Sequence, residues 1–95
     1  MSEYRIVFST RAKERLKQIA ADLHQQQLSN AFVSSYLRQF EDWLDKVLLQ
    51  FPESGTPLPE HGEGIRRIVY QKYSFIYRIQ NSTIEILAIH RENKP

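Results

Sequence analysis

IRRIVYQKYSFIYRIQNSTIEILAIH, residues Ile65 to His90, decides the fold of this chain. β-branched and aromatic residues crowd it, and polar dipeptides interrupt it at Gln71-Lys72 and Asn81-Ser82. That pattern predicts three successive strands joined by two tight turns. A two-residue turn at Asn81-Ser82, where asparagine tolerates a positive φ, sets Ile79 against Ile84, Tyr77 against Ile86 and Phe75 against Ala88. Side chains alternate along a strand, so these six form one apolar face. Ser74, Ile76, Arg78, Glu85, Leu87 and Ile89 fall on the other. A matching turn at Gln71-Lys72 adds Ile68, Tyr70 and Arg66 to the first face and Ile65, Arg67 and Val69 to the second. In this register Arg78 faces Glu85 and His90 faces Tyr73. The expectation is a sheet with one covered side and one open side that is both basic and aliphatic.

The residues upstream supply the cover. Tyr4, Ile6 and Phe8 alternate with Arg5 and Val7 as a first strand, whose neighbour cannot be read from the sequence. Ser9 or Thr10 can cap a helix carrying Ala12, Leu16, Ile19, Ala20 and Leu23 at helical spacing. Ser29-Asn30 offers a second cap, followed by the stripe Phe32, Tyr36, Phe40, Trp43, Leu44, Val47, Leu48 and Phe51, which Pro52 ends. Residues 52–64 hold all three glycines and three of the four prolines, and read as one long loop. The predicted class is α+β: an antiparallel sheet with an N-terminal helical hairpin on one face, in the order β-α-α-β-β-β. The last residues, 91–95, are expected to fray.

Ninety-five residues imply a single domain, spanning the whole chain. The chain has no cysteine, which excludes a disulfide framework, a thiolate nucleophile and cysteine-based zinc sites. His24, His61 and His90 show no metal-site spacing, and no cofactor is expected. No apolar run approaches the roughly 20 residues that span a bilayer, so the expectation is a cytoplasmic protein with no membrane partner. Net charge is +2, unevenly placed: residues 64–95 carry +4 and residues 1–63 carry −2. A positive field on the strands suits an acidic partner or a phosphate backbone.

STRAKERLKQIA after the first strand, LLQFPESG closing the second helix and GIRRIVYQKYSFIYRIQNSTIEILAIHRENK at the end together resemble the RelE/ParE superfamily, the toxins of bacterial type II toxin-antitoxin systems. The resemblance covers nearly the whole chain. It implies a cognate antitoxin draped over the toxin, and operator DNA contacted only through that antitoxin. RelE-like members cut mRNA in the ribosomal A site; ParE-like members poison DNA gyrase. Arg67 stands where RelE-like toxins carry a basic residue, but Ser74 replaces the arginine that holds the scissile phosphate, and no tyrosine follows His90. These departures place the chain nearer the ParE-like branch.

Three functions follow as expectations. The first is a gyrase-binding toxin without catalysis of its own, contacting antitoxin or target through Arg67, Val69, Ile76, Arg78, Leu87 and Ile89. The second is a ribosome-dependent endoribonuclease using Arg67, Arg78, His90 and Arg91. The third is a non-toxic binding module of the same fold. Each residue also has a plainer reading. Arg78 and Glu85 make a cross-strand ion pair, and His90 packs beside a tyrosine.

Overall fold

The computed structural model describes residues 3–92. Strand β1 (Arg5–Phe8) leads into helices α1 (Thr10–Gln25) and α2 (Asn30–Leu48). The two-residue strand β2 (Thr56–Pro57), a single 3-10 turn (Pro59–His61) and the strands β3 (Ile65–Tyr70), β4 (Tyr73–Gln80) and β5 (Thr83–Arg91) complete the chain. The sheet order is β1-β5-β4-β3-β2. The order β-α-α-β-β-β thus stands, with two additions the sequence did not specify. β1 runs parallel to β5, so the sheet is mixed, and the loop after α2 contributes a short edge strand antiparallel to β3.

Both helices begin as their sequences require. Ser9 and Ser29 hold extended backbone, and their hydroxyls accept from the N–H groups of Ala12 and Phe32. Helix α2 stops one turn short of Phe51, because Pro52 has no N–H to extend the ladder. The ends of its predicted stripe, Phe32 and Phe51, are exposed. The two strand turns use a left-handed residue at Gln71 (φ 55°) and Asn81 (φ 56°).

One buried cluster holds the layers together. Ala12 and Ile19 of α1 and Phe40, Leu44 and Leu48 of α2 pack on Tyr73, Phe75, Tyr77, Ile84, Ile86 and Ile89 of the sheet. Phe40 is its hub: its ring makes edge contacts with Tyr36, Tyr70, Tyr73 and Phe75 at centroid distances of 5.2 to 5.9 Å. Trp43 stacks on Tyr70 at 4.5 Å.

The β4–β5 register follows the sequence near the turn and departs from it further on. Ile79 faces Ile84 and Tyr77 faces Ile86, but Ile76 then faces Ala88, which leaves Leu87 as an extra residue in β5. Beyond this bulge every β5 side chain changes face. Ile89, expected on the open side, lies opposite Phe75 in the core at 2% exposure; Ala88, expected in the core, joins Ile76 on the open side. His90 consequently faces Ser74 rather than Tyr73. The cause is tertiary. β1 ends at Phe8, where Ser9 donates its N–H to the Ile86 carbonyl (2.9 Å) and its hydroxyl to the Leu87 carbonyl (3.1 Å) before turning into α1. Ser9→Ala removes the cap and the hydroxyl bond to Leu87 together, leaving the backbone bond to Ile86, and should cost about 1 to 2 kcal/mol, read from the midpoint of urea unfolding.

A second anchor holds the loop after α2. The Tyr77 hydroxyl donates to the Pro52 carbonyl (2.7 Å) and accepts from the Gly55 N–H (3.0 Å). Arg66 donates to the carbonyls of Glu53 (3.0 Å) and Gly55 (2.7 Å). Burial raises the Tyr77 pKa above its ordinary 10.0, against the opposing hydrogen bond from Gly55, and burial likewise raises Tyr36, helped by Tyr73. An unfolded chain therefore ionises these phenols before the folded one does. The stability they contribute is intact below pH 10.0 and is lost as pH rises through the higher folded-state values. Unfolding midpoints should hold up to about pH 10 and then fall, and the fall should be shallower in Tyr77→Phe.

Candidate functional site

The face of the sheet turned away from the helices is laid out in three rows by the strand register. Val7, Glu85, Arg78 and Ile65 form the first; Ala88, Ile76, Arg67 and Thr56 the second; His90, Ser74 and Val69 the third. The bulged Leu87 sits between the first two. The first row has an ion pair at its centre and an aliphatic residue at each end. Arg78 and Glu85 are bonded at 3.2 Å as the sequence predicted, and a shallow depression of about 340 Å³ runs from them to Arg5 and Thr83.

Ala88, Ile76 and Arg67 of the second row line a groove of about 460 Å³. Ile65, Ile76, Leu87 and Ala88 supply its aliphatic surface, and Leu58 from the loop closes one side. Arg67, His90, Arg11 from the first turn of α1 and His61 from the 3-10 turn stand around it. Ile76 and Leu87 are half-buried, so the aliphatic character expected of this side is present, without Ile89. Val69 is exposed at the margin.

Arg67 has an acid that sequence reasoning did not assign. Its guanidinium is bonded to the Glu92 carboxylate, and the Glu92 N–H donates to the Lys72 carbonyl at 2.7 Å. The strand consequently continues through Arg91, which the sequence placed in a frayed tail; the remaining residues, 93–95, lie outside the described ones. Arg91 belongs to the other face. It pairs with Tyr73, and its charge opposes the rise in the Tyr36 pKa. Ser74 is 2% exposed and donates its hydroxyl to the His90 carbonyl at 3.4 Å.

Of the four candidates for endoribonuclease chemistry, the structure therefore brings only Arg67 and His90 to one groove. Arg78 is held in the neighbouring depression by Glu85, and Arg91 is on the far side of the sheet. Sequence reasoning missed Arg11, Leu58, His61, Ala88 and Glu92. The first three come from segments distant in the chain, and the last two were misplaced because nothing local marks the bulge or carries β5 past His90. Among the described residues no group of histidines and acids could hold a metal ion, and no helix is long and apolar enough to cross a membrane.

Comparison with known proteins places this geometry. No curated protein matches the chain. Among solved structures, the chromosomal ParDE toxin-antitoxin system of P. aeruginosa superposes with a TM-score of 0.74 at 19% identity, covering 96% of this chain and 98% of that one. The RelBE2 toxin-antitoxin complex of Mycobacterium tuberculosis gives 0.60 at 20% identity, covering 94% and 98%. At these identities the likeness is one of fold. Residues 6–94 match the model of the ParE toxin of type II toxin-antitoxin systems, and with nearly the full sequence inside that match, the chain belongs to the ParE toxin family.

Proposed function

We propose that this protein is the toxin of a type II toxin-antitoxin module, that it inhibits DNA gyrase by binding, and that an antitoxin silences it by covering the open face of the sheet. The observation that carries the binding reading is the groove itself: an aliphatic floor ringed by Arg11, His61, Arg67 and His90. Apolar surface of this kind is stabilised by burial against a partner, and the two arginines beside it, Arg11 and Arg67, select an acidic one. The family match supports the toxin, and both structural relatives are toxin-antitoxin systems. Gyrase as the target is what the resemblance to ParE-like toxins implies, and the dispersal of the endoribonuclease candidates over two faces supports it. The rival reading, a ribosome-dependent mRNA endoribonuclease, is favoured by Arg67 and His90 lining one groove.

Tightly controlled expression in bacteria separates them. Filamentous cells with an induced DNA-damage response are expected; arrested translation with cut mRNA would give the protein to the ribosome, and normal growth would make it a binding module. The double variant Arg67→Ala, Arg78→Ala tests the face. Both ion pairs are partly solvated, so folding should weaken by no more than about 1 kcal/mol for each pair. Toxicity or antitoxin capture should fall at least about tenfold, since a lost buried charge contact costs about 1.4 kcal/mol or more. Loss of the folded circular dichroism spectrum in this variant would overturn the placement of these arginines on a free face.

A further inference from the structure

Arg67, on the rim of the groove, already holds a carboxylate, and that carboxylate comes from Glu92, just past the protein's own last strand. Among the described residues no acid lines the groove. Two acids approach the lining residues from outside: Glu60 lies 3.6 Å from His61 within the same turn, and Glu92 is bonded to Arg67. Glu92 is placed for this by its backbone bond to Lys72, at the end of β5. The Arg67 and Glu92 side chains are 36% and 23% exposed, so the pair is reachable from solvent. A partly solvated ion pair of this kind contributes little, and exchanging one carboxylate for another conserves the charge interaction.

We propose that the groove takes an acidic, aliphatic segment of a partner protein, and that a carboxylate of that segment displaces Glu92 from Arg67. Glu92 is thus a resident competitor which keeps the arginine paired until the partner arrives. The aliphatic floor selects leucine-like side chains, and Arg11 and Arg67 attract the carboxylates between them, with Glu92 the acid that must give way. This rests on the antitoxin reading above; it adds the chemistry of the partner segment and the exchange at Arg67.

The test uses the full chain and a fluorescent twelve-residue peptide of alternating leucine and glutamate, blocked at both ends, with a glutamine-for-glutamate peptide as control. Anisotropy titrations at moderate salt are expected to show the glutamate peptide binding Glu92→Gln about three- to fivefold more tightly than the natural chain, the scale of a lost surface pair. Arg67→Gln should bind it about fivefold or more weakly, and the glutamine peptide should not distinguish Glu92→Gln from the natural chain. Glu92→Gln is isosteric and outside the buried cluster, so it keeps the fold. No binding of the glutamate peptide, equal binding of the two peptides, or an unchanged or weaker affinity in Glu92→Gln overturns the proposal. So does a chain that sediments as a dimer and becomes monomeric in Leu87→Lys, which would assign the groove to a second copy. None of these readings involves toxicity. A harmless chain can bind the peptide as proposed, and a toxic chain that ignores it retains the toxin reading alone.

Discussion

Phe40→Ala should lower the stability of this protein by about 3 to 5 kcal/mol, the range for removing a fully buried aromatic ring from a packed core. Phe40 is 1% exposed and contacts four other rings, two on β4, one on β3 and one on its own helix. Its removal opens a cavity that the flanking tyrosines cannot fill without leaving their own contacts. A domain of this size is stable by roughly 5 to 14 kcal/mol, so the variant loses a large part of its margin. Its thermal midpoint should drop by about 15 °C or more. Phe40→Leu keeps apolar volume and should lose less than half as much. Urea unfolding followed by circular dichroism checks both, and a loss below about 1.5 kcal/mol in Phe40→Ala would show that α2 is held on the sheet by something other than this ring.

The second large effect is expected at Gly55, where the cost of a side chain is geometric. A Cβ on Gly55 would lie 2.6 Å from the Tyr77 hydroxyl and 2.8 Å from the Arg67 carbonyl. The tyrosine is fixed in the core, and the carbonyl belongs to β3, so neither can withdraw at low cost. Gly55→Val should therefore push the loop off the sheet, break the bond that Gly55 donates to Tyr77 and the one it accepts from Arg66, and cost about 3 kcal/mol. The damage extends to the functional face. β2, Leu58 and the turn holding His61 follow Gly55 directly, and Leu58 and His61 line the groove. Partner capture should consequently fail in Gly55→Val even at temperatures where the helices remain folded. A variant of normal stability and normal capture would mean that the loop is not seated as described.

How these positions arise separates what is local from what is not. Helix and strand periods, the serine caps and the Asn81-Ser82 turn are properties of short stretches, and each was legible. So were the pairing of Ile79 with Ile84 and of Tyr77 with Ile86, because a two-residue turn fixes the register of the residues beside it. The same reasoning failed at Ala88, Ile89 and His90, since alternation assumes an unbroken ladder. The bulge at Leu87 breaks it where a different strand ends.

The amino-acid sequence by itself determined the kinds and order of the elements, the polarity of the two sheet faces, the Arg78–Glu85 pair and the family. Short-range periodicity and turn stereochemistry suffice for those. The tertiary structure alone decided that β1 joins β5 in parallel, that Ile89 belongs to the core and Ala88 to the groove, that Arg11 and His61 meet across an aliphatic floor, and that Arg67 is held by Glu92. Each of these depends on where a distant segment stops or turns, and the free energy that fixes such a contact exists only once both segments have been brought together.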